Sequence, residues 1–216
     1  MINTLLNSLR SILCLLCLFA AGLAHGANGT ILIMGDSLSA GYGVPTEQAW
    51  VTLLQQRLDQ RLQTEWTVVN ASISGETTDG GLRRLPALLD QHHPDVVIIE
   101  LGGNDGLRGF PPSVIADNLT RMIELSQQAG ARVLLAGIQM PPNYGPRYTE
   151  AFAAIYPKLA QSLSTKLVPF ILAGIYDQPG LMQGDAMHPN ARAQPKLLDN
   201  VWPVLKPMLS ESAASS

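Results

Sequence analysis

Apolar residues along this chain come in short continuous runs: Thr30–Met34 (TILIM), Thr67–Ala71 (TVVNA), Asp95–Leu101 (DVVIIEL), Arg132–Gly137 (RVLLAG) and Lys166–Phe170 (KLVPF). Runs of this length without period-two alternation are what strands covered on both faces look like. Between them the pattern changes to a helical period. Over Trp50–Leu62, Val51, Leu54 and Leu58 share one face with Gln and Arg opposite, and over Gly80–Gln91 the stripe is Leu82, Leu85, Leu88 and Leu89. Further helices are expected over Pro112–Ala129, Thr149–Ser164 and Pro189–Leu209, the last started by Pro189 at its first position. Strand and helix in regular succession, with short connections, predict an α/β fold: a parallel sheet wrapped by helices on both faces. With five strands the common order is 2-1-3-4-5, whose switch point lies between the first and third strands, so the loops after those strands should carry the chemistry.

The segment before the first strand has a different character. From Ser11 to Ala24 (SILCLLCLFAAGLA) there is no charge, Arg10 precedes it, and small residues follow at Gly22, Ala24, Gly26 and Ala27. Spanning a bilayer takes about 20 apolar residues and a secretory h-region roughly 7 to 15. Residues 1–26 therefore read as a cleaved signal peptide, leaving one domain over 27–216, no stable membrane span and a periplasmic or secreted address. Both cysteines, Cys14 and Cys17, lie in the leader, and neither follows the small residues of a lipoprotein site. The mature chain then has no disulfide and no thiolate nucleophile. Its tail, Glu211–Ser216 (ESAASS), is expected to fray.

Composition narrows the partners. There are 14 Lys plus Arg against 17 Asp plus Glu, a net charge of −3, so no basic excess exists to neutralise a phosphate backbone. Nucleic acid is not an expected partner. Hydrophobic residues make up 46% of the chain, which excludes disorder.

Three segments carry candidate chemistry. After the first strand comes Gly35-Asp36-Ser37-Leu38-Ser39-Ala40-Gly41-Tyr42-Gly43, and the third strand ends in Gly102-Gly103-Asn104-Asp105. Near the carboxyl terminus stands Asp185-Ala186-Met187-His188-Pro189. A serine hydroxyl is a poor nucleophile until a base takes its proton, and that base keeps its tautomer when a carboxylate grips the other ring nitrogen. Ser37, His188 and Asp185 supply that set, the last two three residues apart on one turn. Fixed donors for a tetrahedral oxyanion are available from the Ser37 and Gly75 N–H groups and the Asn104 amide.

Competing residues read differently. Asp36 either orients the serine turn or only caps it. Ser39 lies further from the strand end than Ser37, and Asp177 is too far along the chain to share a turn with His188. His92 and His93 suit helix-terminal carbonyls, and no carboxylate or cysteine cluster beside them makes a metal pair. Neither a phosphate-binding nor a dinucleotide fingerprint occurs, so no cofactor and no metal is expected.

In GDSLSAGYG, NASISGET, LGGNDGLRG and DAMHPN the chain resembles the SGNH hydrolases, also called the GDSL family, whose defining serine, glycine, asparagine and histidine match Ser37, Gly75, Asn104 and His188. The likeness covers nearly the whole mature chain and is strongest to the thioesterase, lysophospholipase and arylesterase branch. It implies a flavodoxin-like three-layer α/β/α sandwich, a periplasmic address and hydrolysis of acyl esters and thioesters, lysophospholipids included. Small-molecule substrates and a monomer are expected. The acyl pocket does not transfer with the four blocks. Gly106–Pro112 and Ile138–Tyr148 are the candidate loops, with Phe110, Met140 and Tyr144 as lining residues and glycines 106 and 109 letting the first loop move. Two other functions fit the same residues: a short-chain carbohydrate acetylesterase, and a lipid-binding module without turnover.

Overall fold

A computed structural model describes residues 29–61 and 65–211. The expected leader, the expected cleavage sites and tail residues 212–216 lie outside them. Five parallel strands, β1 (Gly29–Gly35), β2 (Trp66–Asn70), β3 (Val96–Glu100), β4 (Arg132–Ala136) and β5 (Lys166–Val168), form one sheet in the order β2-β1-β3-β4-β5. Register pairs Ile31 with Val96 and Gly35 with Glu100, so the carboxyl ends of β1 and β3 finish side by side.

The continuous apolar runs divide between two cores by the strand period of two. Ile31, Ile33, Val96, Ile98, Leu134 and Ala136 face one side, where α2 (Trp50–Arg61) contributes Trp50, Leu54 and Leu58. The C-terminal helix α8 (Gln194–Glu211) adds Leu197, Val201 and Leu205 to that layer. Leu32, Met34, Val97, Ile99, Val133 and Leu135 face the other side. There they meet α3 (Thr78–His92) through Leu85 and Leu89, and α5 (Pro112–Gln128) through Ile115, Leu119, Met122 and Ile123. The three central strands, β1, β3 and β4, are almost wholly apolar because both of their faces are buried, whereas the edge strands β2 and β5 leave Thr67, Asn70 and Lys166 exposed.

Two short helices sit at the strand ends: α1 (Ser37–Ala40) after β1 and α4 (Gly103–Leu107) after β3. Neither shows as a hydrophobic period, because four or five residues are too few to express one. The helix expected over Thr149–Ser164 is two, α6 (Pro146–Ala153) and α7 (Ile155–Ser162), meeting at Ala154. Pro189 does not start the last helix. It forms an isolated antiparallel bridge with Met182, and Asn190 caps a 3-10 turn at Ala191–Ala193 that runs into α8 (Gln194–Glu211).

Candidate active site

The turn after β1 is built by Asp36. Its side chain caps α1, one carboxylate oxygen accepting from the Leu38 N–H at 3.0 Å, and Gly41 closes the helix in the left-handed region at φ +72°. Ser37 thereby begins a helix at the mouth of the sheet and is half-buried there. The other Asp36 oxygen accepts from the Asn104 amide nitrogen at 2.9 Å, binding the turn after β1 to the helix after β3. Asp36 thus both caps and orients. Burial raises its carboxyl from an ordinary 3.8 to about 6, against the pull of the Leu38 N–H, nearby His188 and the Asn104 amide.

The third segment reaches this turn from across the sheet. Ser37 Oγ lies 2.9 Å from His188 Nε2, and His188 Nδ1 lies 2.7 Å from Asp185 Oδ2. Asp185 Oδ1 also accepts from the Met187 and His188 N–H groups at 2.9 and 3.0 Å. Those bonds, the backbone N–H of His188 foremost and its ring next, hold the Asp185 carboxyl down to about 2 although it is exposed. Asp185 therefore stays ionised beside the imidazole. It, and not Asp177, reaches the ring.

The loop bearing this pair is stapled on both sides. Asn190 Nδ2 donates to the carbonyls of Gly180 and Met182 at 2.9 and 3.2 Å. Gln183 Nε2 donates to the carbonyls of Tyr42 and Pro189 at 2.8 and 3.1 Å, tying the histidine loop to the serine loop. Tyr42 in turn lays its ring against His188, with centroids 4.7 Å apart. Sequence reading missed Gln183 and Tyr42. Neither carries reactive chemistry, and only the fold makes them neighbours of the imidazole.

Ser37, Gly75, Asn104, Asp185 and His188 all line a single cleft of about 540 Å³. Its floor is polar, and Leu38, Leu107, Ile138, Met140, Leu172 and Met187 give an apolar wing, the pattern of a site that takes a mostly apolar molecule with one polar reacting centre. Gly75 adopts φ +81°, a backbone that side chains rarely take, and Gly103 passes so close to Asp36 that a methyl group there would lie 3.2 Å from its carboxylate.

Of the expected lining residues, Met140 borders the cleft and Phe110 and Tyr144 do not. Phe110 packs against the core, and its carbonyl accepts from the Tyr148 hydroxyl at 2.7 Å, while the Tyr144 hydroxyl donates to the Leu107 carbonyl at 2.9 Å. These aromatics brace the loop instead of lining it. Gly106 is not a hinge either: it lies inside α4, where a methyl group would come within 2.3 Å of Met140 Sδ. Ser39 is fully buried and hydrogen-bonds Glu100, out of reach of any substrate. His92 ends α3, and His93 caps it by donating its N–H to the Leu89 carbonyl.

Residues 33–194 match the profile of the GDSL-like Lipase/Acylhydrolase family. Esterase TesA of Pseudomonas aeruginosa is 54% identical over 185 residues, covering 86% of this chain and 92% of that relative. Thioesterase 1/protease 1/lysophospholipase L1 of Escherichia coli K12 is 48% identical over 187 residues, 87% of this chain and 88% of the relative. Among solved structures, the psychrotrophic esterase EstA from Pseudoalteromonas sp., inhibited by monoethylphosphonate, superposes with a TM-score of 0.80 at 46% identity, covering 84% of this chain and 99% of that one.

Proposed function

The chain belongs to the GDSL-like lipase/acylhydrolase family, and from that premise we propose that it hydrolyses acyl esters and thioesters, lysophospholipids among them, through an acyl-enzyme on Ser37. The observation that carries this reading is the continuous chain Ser37 Oγ, His188 Nε2, His188 Nδ1, Asp185 Oδ2, with links of 2.9 and 2.7 Å, at the floor of an apolar cleft.

Ser37 Oγ attacks the acyl carbonyl as His188 Nε2 takes its proton, and the carbonyl electron pair becomes an oxyanion. The N–H groups of Ser37 and Gly75 and the Asn104 amide meet that charge. Collapse of the intermediate breaks the bond to the alcohol or thiol, which leaves with the proton from His188. Water then attacks the acyl-enzyme, His188 accepting its proton and returning it to Ser37 Oγ. Asp185 keeps Nδ1 protonated and offsets the imidazolium charge. Asp36 positions the Asn104 amide.

The proposed setting is the periplasm or the exterior, after removal of residues 1–26, with the protein acting as a monomer. Intact mass of exported protein checks the leader: a chain starting between His25 and Asn28 is expected, and one retaining Met1–Arg10 contradicts cleavage. Turnover of nitrophenyl esters from acetate to palmitate tests the activity. Hydrolysis across the series supports the acylhydrolase, activity confined to acetate supports a carbohydrate acetylesterase, and binding without turnover supports a lipid-binding module.

A further inference from the structure

Beneath the nucleophile turn lies an acid that the reaction above does not use. Glu100, the last residue of β3, is fully buried and borders no part of the cleft. One carboxyl oxygen, Oε2, accepts from the Ser39 hydroxyl at 2.7 Å and from the Asp36 N–H at 3.3 Å. Those two donors flank Ser37 on either side in sequence. The other oxygen, Oε1, is buried without a partner. The seat is tight: a methyl group on Gly35 would fall within 2.8 Å of Oε2 and 2.6 Å of the Ser39 side chain.

Resting on the serine-hydrolase reading, we infer that Glu100 is a positioning residue for the nucleophile, holding the Asp36-Ser37-Leu38-Ser39 turn from below as a two-fold hydrogen-bond acceptor. A single acceptor atom that receives bonds from residues on both sides of Ser37 fixes the backbone between them. It therefore fixes both the direction of Ser37 Oγ and the Ser37 N–H offered to the oxyanion. The donors in contact with Glu100 are neutral, and among the described residues no cation pairs with it. Charged and titratable groups facing it are Asp36, from the turn after β1, and the Tyr156 hydroxyl, from α7. Burial, with the Asp36 charge alongside, pushes the Glu100 carboxyl well above the usual carboxylate range. It is the acceptor oxygen, not a negative charge, that the turn needs from this position. An acid rather than an aliphatic residue stands here because two donors, Asp36 N–H and Ser39 O–H, would otherwise be buried with no partner.

The test uses the mature enzyme with a nitrophenyl ester. Glu100→Gln keeps an acceptor oxygen and loses the ability to ionise, whereas Glu100→Leu removes the acceptor and leaves an aliphatic side chain in its place. Misplacing a nucleophile by about an ångström typically costs on the order of a hundredfold. Glu100→Leu is therefore expected to lose roughly ten- to a hundredfold in kcat, with KM changed less than about threefold. Glu100→Gln should restore kcat to within about threefold of the parent. Should the Glu100→Leu variant fail to fold, Ser39→Ala removes the shorter of the two bonds and should lower kcat several-fold at unchanged KM. The inference is overturned if Glu100→Gln is as impaired as Glu100→Leu, or if either the Glu100→Leu or the Ser39→Ala enzyme turns over at the parental rate. Ser37→Ala, measured in parallel, separates this from the premise: wild-type turnover without the Ser37 hydroxyl would refute the serine mechanism itself, whatever Glu100 does.

Discussion

Asn104 holds one end of the site by its side chain alone. One of its amide protons goes to Asp36, and the proposed mechanism assigns the other to the oxyanion; on that reading Asn104→Ala removes an oxyanion donor and strips Asp36 of a partner. Loss of one such donor typically costs about a hundred- to a thousandfold, roughly 3 to 4 kcal/mol, appearing in kcat more than in KM. Steady-state kinetics on one ester checks this, and a rise in KM with kcat spared would make Asn104 a binding residue instead. Asp36 carries a second prediction. Because its folded pKa is raised, its stabilising contribution is complete below the ordinary 3.8 and is lost as pH rises through about 6. That span is worth about 3 kcal/mol at neutral pH. Asp36→Asn should therefore be more stable than the parent at pH 8 and show no such gain at pH 3, by denaturant titration. Its kcat should nonetheless fall, since Leu38 and Asn104 donate to different Asp36 oxygens and an amide keeps only one of those two positions as an acceptor. The set Ser37, Asp185 and His188 was legible from residue types and spacing. The part played by Asp36 was not, because its partner stands 68 positions away.

At the scale of elements, amphipathic period located the long helices, and chain breaks escaped it. The α6–α7 junction at Ala154 keeps the same apolar stripe on both sides, so the pattern reads through a break that backbone geometry makes. Asn190 shows how an element boundary serves the site two residues upstream. Its side chain caps the turn into α8 by accepting from the Arg192 N–H at 3.0 Å while its amide holds the histidine loop at Gly180 and Met182. Asn190→Ala should lower stability by about 1 to 2 kcal/mol and reduce kcat together, because cap and loop share one side chain. Thermal melting with parallel kinetics checks it, and loss of stability at full activity would confine Asn190 to the cap. At the exit of β4, a methyl group on Gly137 would lie 2.3 Å from the Pro169 carbonyl, a backbone atom that cannot rotate away. Gly137→Ala should cost about 1 to 3 kcal/mol of stability, read by denaturant titration.

Across the whole molecule, the chemistry depends on three segments meeting at the carboxyl edge of one sheet, and pH acts on that meeting. Acidification protonates Asp36 near pH 6, which weakens its hold on the Asn104 amide. Asp185 stays ionised down to about 2 and does not contribute to this loss. The rate is therefore expected to fall as pH drops from 8 to 5, measured with a substrate whose leaving group does not titrate there. A flat profile would contradict this role for Asp36.

What the sequence determined by itself was the layer architecture and the set of candidate reacting groups. Apolar runs with no polar face must be buried on both sides, a parallel sheet follows, and its switch point names the loops. Ser37, Asp185 and His188 are then the residues in or beside those loops with the right chemistry. What only the tertiary structure decided was which polar side chains hold that chemistry in place and which apolar ones border the cleft. Glu100 looked like one more position in a strand, and Phe110 and Tyr144 looked like acyl-pocket walls. The reason is physical: hydrophobic periodicity reports whether a side chain is buried, while hydrogen-bond partners and cleft lining depend on distances between segments far apart in the chain, which no local pattern encodes.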